Sequence, residues 1–336
     1  MGRRRSAVEA LELTGPRTAL VTGGDGVVGS WLVRGLLARG DHVVLLRRPG
    51  ARRSALALDG TEAHCAVAPG DLLDASTVDR AIAEHGCDTV FHLGAQSIVQ
   101  TANASPVTTF EINVAGTWNL LEACRARGVE RVVVASSDKA YGQIDTLPPT
   151  EEHPLRARHP YDVSKACADL IARSYFHTYG LPVAVTRLPN VYGGGDLHGS
   201  RLIPELVAAI LAGRAPVIRS DGSPRRDFLY AEDAAAAYLA IADALGAGAA
   251  GGEAFNAGSG TSQSVREVVD ALLALAGTDL VVEYTATGPP AGEIVTASVD
   301  AGKLHALTGW APAVDLREGL RRTLAWYQAH PGALAP

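Results

Sequence analysis

The chain has 336 residues, a formal net charge of −6 and only 5% aromatic side chains. That length suits a large core in one or two domains, and the acidic balance, with no basic stripe, argues against a nucleic-acid partner. No apolar run reaches the roughly 18 residues of a spanning helix, so no membrane partner is expected. The alanine-rich stretch 231–252 is interrupted by Glu232, Asp233 and Asp243.

Met1-Gly2-Arg3-Arg4-Arg5-Ser6 fits a loose myristoylation pattern and superficially a twin-arginine start. Glu9 and Glu12 interrupt any apolar segment behind it, so residues 1–15 are expected to form a disordered basic tail. Arg17 to Thr22 then reads as a buried strand. It is followed by Gly23-Gly24-Asp25-Gly26-Val27-Val28-Gly29 and a helix pattern from Ser30 to Arg39, with Gly40 as its C-cap. A second strand runs from His42 to Leu46.

Strand, glycine loop, helix, strand is the context that makes a glycine motif a dinucleotide site. Gly23, Gly26 and Gly29 give the G-x-x-G-x-x-G spacing. Such glycines let backbone approach a pyrophosphate, and the helix N-terminus favours its charge. An acidic residue ending the second strand would bind the ribose diol of NAD. Arg47-Arg48 stand there instead, with Arg52 and Arg53 behind them. They either bind the 2′-phosphate of NADP or form a solvated basic loop.

The unit repeats with strands at Ala66 to Ala68, Thr89 to Leu93 and Val132 to Ser136, the last after a helix from about Val114 to Arg127. Alternating strands and helices imply an α/β fold with a doubly wound parallel (Rossmann) sheet. Ligands bind at the carboxyl ends of such strands, where Asp71, Gly94 and Ser137 fall. Cys65, Cys87, Cys124 and Cys167 lack C-x-x-C spacing and read as reduced core thiols of a cytoplasmic protein. His92, His177 and His198 lack metal-ligand spacing, so no metal is expected.

Tyr161 and Lys165 stand four positions apart, which on a helix puts them on one face. A cation beside a phenol favours the phenolate, so Tyr161 could take a proton from an alcohol. Beside a nicotinamide, that alcohol also loses a hydride. Ser136 and Ser137 belong to no G-x-S-x-G elbow, which argues against a serine hydrolase.

Taken in order, these motifs resemble an extended short-chain dehydrogenase acting on nucleotide sugars, of the NAD-dependent epimerase/dehydratase family. The resemblance runs from about Thr18 to Tyr327. It is carried by the loop Thr22 to Gly29, Asp71-Leu72, His92 to Gln96, Asn113-Val114-Ala115-Gly116-Thr117, Ser137-Asp138-Lys139-Ala140-Tyr141-Gly142 and Tyr161 to Lys165. Further on come Arg187 to Gly193, Arg226-Asp227-Phe228, Phe255-Asn256-Ala257-Gly258 and Leu307-Thr308-Gly309-Trp310. Three features are similar to CDP-glucose 4,6-dehydratases: Asp138-Lys139, Gly193 to Leu197 with Ser200-Arg201, and Gly292-Glu293-Ile294.

The resemblance implies a 4,6-dehydratase producing an NDP-4-keto-6-deoxyhexose. A 4-epimerase, or further off a nucleotide-glucuronate decarboxylase, would share the same C4 oxidation. Its catalytic set is Ser137, Asp138, Lys139, Tyr161 and Lys165, with Asp138 as the acid for the 6-hydroxyl and Lys165 lowering the Tyr161 pKa. Lys139 stands where a glutamate would serve as C5 base. It is a desolvated neutral lysine, an enolate-stabilising cation, or a side chain turned away.

The cofactor, NAD or NADP, would stay bound and be regenerated each turnover. Its implied contacts are Gly23, Gly26, Val27, Val28, Gly29, Arg47, Arg48, Asp71, Leu72, Leu93, Gly94 and Ala95, with Tyr161 and Lys165. The nucleotide-diphosphate sugar would meet Gln96, Asn190, Arg201, Arg219 and Arg226. Residues 16–188, with 227–260 returning, would form the cofactor domain. Residues 189–226 and 261–336 would form a smaller α/β substrate domain. Helices at about 104–127 and 164–179 would pair two subunits as a four-helix bundle.

Overall fold

The computed structural model describes residues 15–50, 54–144, 148–288 and 296–334. The expected tail up to residue 14, Arg52, Arg53 and the Gly292-Glu293-Ile294 motif lie outside the described residues. Seven strands make one sheet: β1 (Thr18–Thr22), β2 (His42–Arg47), β3 (Ala66–Pro69), β4 (Thr89–His92), β5 (Arg131–Ala135), β6 (Val183–Arg187) and β7 (Ala254–Asn256). Their order is β7-β6-β5-β4-β1-β2-β3, and every neighbouring pair is parallel. The last strand comes from far down the chain and closes the edge beside β6.

The main helices are α1 (Val27–Ala38), α2 (Ala75–His85), α3 (Gly116–Arg127), α4 (Pro160–Tyr179), α5 (Leu202–Leu211), α6 (Ala231–Gly246), α7 (Val265–Ala276) and α8 (Leu316–Ala329). Side chains alternate across the strands, so the sheet feeds two cores. Val21, Leu45, Phe91 and Val133 pack with Leu32 and Val33 of α1 and Tyr238 and Ile241 of α6. Leu20, Val44, Val90 and Val134 pack the other way, with Val78 and Ile82 of α2, Leu121 of α3 and Ala172 of α4. This two-sided burial explains the near-continuous apolar strands.

A smaller α/β part follows β6. Strand 225–230 pairs with strands 190–192, 262–264 and 296–297. Over it, Ile203 and Val207 of α5, Val268 and Leu272 of α7 and Leu320 and Leu324 of α8 form a third core. α7 is nucleated by a capping box in which Ser264 accepts from the Glu267 N–H and the Glu267 carboxylate accepts from the Ser264 N–H.

Some local expectations shift. α1 starts at Val27, directly off the glycine loop; Arg39 is its C-cap and Gly40, at φ 82°, is the left-handed residue after it. The expected helix from 114 is not uniform, because Glu111–Ala115 is a π-helical turn running into α3. α4 starts at Pro160, so both Tyr161 and Lys165 lie on it. No described helix is long and apolar enough to cross a membrane.

Candidate active site at the carboxyl edge of the sheet

The strand order reverses at β1, whose neighbours are β2 and β4. The crevice outside such a switch point is where an open α/β sheet binds ligand. The glycine loop lies there. Gly23 has φ 72°, and a Cβ on it would lie 2.7 Å from the Gly94 nitrogen. A Cβ on Gly29 would run into the Gly23 carbonyl oxygen. Gly26 is the N-cap of α1 and supplies no side-chain cap, so the helix offers its first N–H groups outward. A backbone cradle and an open helix N-terminus fit a dinucleotide pyrophosphate.

The floor of the crevice is pinned by a buried relay. Gly94 N donates to Thr22 Oγ1 at 3.0 Å. Thr22 Oγ1 meets His92 Nδ1 at 2.8 Å, and His92 Nε2 meets Thr117 Oγ1 at 3.1 Å. Thr117 donates in turn to the Asn113 carbonyl at 2.7 Å. With Thr22 donating, Nδ1 accepts and Nε2 carries the proton, which assigns a neutral imidazole. Burial, then the Lys165 charge, holds His92 down to about 3.

Leu72 packs where Cβ atoms on Gly94 and Gly116 would fall, 3.0 Å away in each case. Asp71 accepts from the Leu73 N–H at 3.0 Å. Leu93 continues β1 pairing through the Thr22 carbonyl at 3.1 Å. Val27 is buried and Val28 packs partly against the core; Ala95 is half-buried in the same loop.

Arg47 and Arg48 diverge. Arg48 is exposed. Arg47 grips Asp25 through Nε (3.1 Å) and Nη2 (2.6 Å), and Glu62 through Nη1 (2.7 Å) and Nη2 (3.0 Å). The expected basic pair is thus one exposed arginine and one arginine already held by two carboxylates.

The loop after β5 brings the acid–base groups together. Ser137 donates to Asp138 Oδ1 at 3.0 Å and accepts from the Lys139 N–H at 3.2 Å. Lys139 Nζ lies 3.4 Å from Asp138 Oδ1 and 3.1 Å from Asn190 Oδ1. Lys139 is therefore not turned away. Burial lowers its affinity for a proton, but Asp138 and Tyr161 outweigh that, and its pKa is raised. That direction favours the cationic form of Lys139 beside an ionised Asp138.

Burial pushes the Tyr161 phenol above its ordinary range, while the Lys139 charge, the Ser137 hydroxyl and the Arg201 charge pull it back. The expected cation was Lys165. Its Nζ instead donates to the Ala135 carbonyl at 2.8 Å, and burial lowers it to about 8. The charge acting most strongly on Tyr161 comes from the loop rather than from one helical turn away.

Two groups have a place here that sequence reasoning did not give them. Asn113, in the π-helical turn, accepts from Gln96 N at 2.7 Å and donates to the Gln96 carbonyl at 3.1 Å and Ser164 Oγ at 2.8 Å. Ser164 donates to the Tyr161 carbonyl at 2.6 Å. One side chain thereby ties Gln96 to the helix turn that carries Tyr161. Asp162 is buried beside Lys139, and burial raises its pKa. The motif around Asn113 was visible in sequence, but the π-helical turn that aims it was not.

The arginines separate as well. Arg201 reaches Asp196 and Ser97 at 3.0 Å each and acts on Tyr161. The Arg226 charge reaches Lys139, and its Nη1 donates to the Arg225 carbonyl at 2.9 Å. Arg219 is exposed and holds Glu205 at 2.8 Å.

A model of the NAD dependent epimerase/dehydratase family matches residues 19–258, and the chain belongs to that family. It is 35% identical to the dTDP-glucose 4,6-dehydratase of Streptomyces griseus, over 93% of this chain and 94% of that one. The crystal structure of the dTDP-glucose 4,6-dehydratase of Streptomyces venezuelae, with NAD bound, matches with a TM-score of 0.85 and 34% identity, over 95% of this chain and 99% of that one. The UDP-glucose 4-epimerase of Thermotoga maritima, solved with UDP-glucose, matches with a TM-score of 0.85 and 27% identity, over 93% and 99%. These relatives are dTDP- and UDP-sugar enzymes rather than the CDP-glucose dehydratases that the motifs suggested.

Proposed function

We propose that this chain is a nucleotide-sugar 4,6-dehydratase that converts an NDP-hexose to its 4-keto-6-deoxy form. The observation carrying this reading is the cluster of Ser137, Asp138 and Lys139, of which Ser137 and Lys139 act on Tyr161. When bound, the nicotinamide would supply an acceptor for the C4 hydride, which is returned to C6 after water has left, while C5 regains a proton. Tyr161 takes the proton of the sugar 4-hydroxyl, and Ser137 hydrogen-bonds the same oxygen. The ketone acidifies C5–H. Asp138, with Oδ1 engaged by Ser137 and Lys139, protonates the departing 6-hydroxyl from Oδ2. Lys139, as a fixed ammonium, stabilises the enolate while a separate base or water takes the C5 proton.

A 4-epimerase is the second reading. The observation favouring it is that Lys139 is held as a cation, where a C5 base is needed only for dehydration. The CDP-glucose form of the dehydratase rests on Asp138-Lys139 and Gly193 to Leu197. Asn190, Arg201 and Arg226 would receive the diphosphate, with Gln96 near the sugar; Arg219 would join them only by releasing Glu205. We assign residues 16–188 and 227–260 to the cofactor and 189–226 and 261–336 to the substrate. Val107, Phe110, Trp118 and Leu170 are large apolar side chains exposed on segment 106–127 and α4, which supports a homodimer through these helices.

Mass spectrometry after incubation with CDP-, dTDP-, UDP- and GDP-hexoses tests the reading. A product lighter by one water, formed without added reductant, supports the dehydratase and names its base. An isomer of unchanged mass transfers the assignment to the epimerase.

A further inference from the structure

We propose that Asp25 and Glu62, by clamping Arg47, make this chain select NAD over NADP. The inference rests on the reading of the crevice as a nicotinamide-dinucleotide site. The sequence leaves the choice open, because a carboxylate is missing from the end of β2 and arginines stand in its place.

Three segments converge on one guanidinium. Asp25 comes from the glycine loop, Arg47 ends β2, and Glu62 comes from the short turn Thr61–His64 before β3. Four hydrogen bonds of 2.6–3.1 Å use Nε, Nη1 and Nη2 of Arg47. The group is only partly exposed, with side-chain accessibilities of 18% for Arg47, 31% for Asp25 and 29% for Glu62. The Glu62 carboxyl is held below its usual range by this bond to Arg47.

At the carboxyl end of β2, a dinucleotide places its adenosine ribose. A 2′-phosphate there needs an arginine fork with free donors. Arg47 has its fork filled, and the trio carries one net negative charge, since two carboxylates face one guanidinium. To receive a phosphate, Arg47 would have to release a carboxylate or bring the phosphate against both. A ribose with a free 2′-hydroxyl meets no such repulsion, and carboxylates in this place accept hydrogen bonds from the diol. The clamp therefore restores the acidic character that the β2 terminus lost, using residues from the two flanking loops. Arg48 is exposed and takes no part in the clamp.

Purified protein is equilibrated with an equimolar mixture of NAD⁺ and NADP⁺, freed of unbound dinucleotide and denatured, and the released dinucleotides are quantified. The wild type should carry NAD at least about tenfold over NADP. Asp25→Asn with Glu62→Gln keeps the shapes but removes both charges. It should shift the ratio toward NADP by about tenfold or more. Removing Arg47 on top of these two changes should reverse that shift. A wild type that carries mainly NADP overturns the clamp, as does a charge-neutral double variant with an unchanged ratio and an unchanged melting temperature. If the double variant melts low, Glu62→Gln alone carries the comparison under the same expectation. A protein that retains neither dinucleotide refutes the nicotinamide reading itself, and the clamp with it.

Discussion

Lys139 Nζ donates to Asn190 Oδ1 at 3.1 Å, so the loop after β5 and the first strand of the smaller part share one cation. That bond and the one to Asp138 hold the ammonium in place from two sides. Lys139→Met removes the charge that most strongly favours the Tyr161 phenolate. The Tyr161 pKa should then rise, and the acidic limb of the pH–kcat/KM profile should move alkaline, with kcat falling about 10- to 100-fold. Lys139→Arg should restore part of the shift. An unmoved limb would place the relevant cation elsewhere.

Tyr161→Phe should abolish turnover and leave the bound dinucleotide in place, as quantified in the denatured protein. Asp138→Asn divides the two proposed reactions. A dehydratase should lose roughly 10²–10⁴-fold in water elimination when its acid is replaced. An epimerase should slow only mildly. Solvent deuterium at C5, together with transfer of a C4 deuterium label to C6, reports which step has been lost.

The glycine loop gives a more local test. Gly29→Ala places a Cβ against the Gly23 carbonyl, and the helix start cannot retreat without moving the cradle. Dinucleotide affinity should fall about tenfold or more, and the melting temperature should also drop because the obstructing atoms are backbone. Gly26→Ala should be milder, because its Cβ would find the Gly23 oxygen at 3.4 Å, within ordinary contact.

The seven-stranded sheet was largely legible because buried parallel strands and glycine punctuation are local signals. The same holds for Ser137, Tyr161 and Lys165, whose order in the chain is itself a motif. Contacts between distant segments were not legible. Nothing around Lys139 announces Asn190, which lies 51 positions away, and nothing around Arg47 announces that Asp25 and Glu62 will both turn toward it. The contact that Lys165 makes was not legible for the same reason. Helical spacing puts Tyr161 and Lys165 on one face, but the Lys165 ammonium is drawn to the Ala135 carbonyl.

A buried ion pair anchors the wall behind the site. Arg187 meets Asp169 at 2.8 and 3.0 Å, with 1% and 0% of the side chains exposed. Arg187 also donates to Tyr141 Oη at 2.9 Å. Asp169→Ala strands a buried guanidinium and should cost about 3–5 kcal/mol in denaturant unfolding. Replacing both partners, Asp169→Leu with Arg187→Met, should cost less than the single change, because no charge is left unpaired. A single variant as stable as wild type would mean that water reaches Arg187.

His92 makes stability depend on pH in the direction opposite to a salt-bridged histidine. Burial holds its folded pKa near 3, below the ordinary 6.5. Above pH 6.5 the imidazole is neutral in both states and contributes no slope. Below it the unfolded chain binds a proton that the folded chain refuses, so stability is lost as pH falls from 6.5 toward 3. At pH 5 the loss from this one group is about 2 kcal/mol. His92→Gln should flatten the pH dependence of unfolding between about pH 4 and 6.5, although it lowers stability at pH 7 by cutting the bonds to Thr22 and Thr117. The His92 imidazole resonance should stay in its neutral form down to about pH 4. A titration near pH 6 would show that the proton enters the relay, which would loosen Thr22, the Gly94 turn that leans on it, and with them the floor of the dinucleotide crevice.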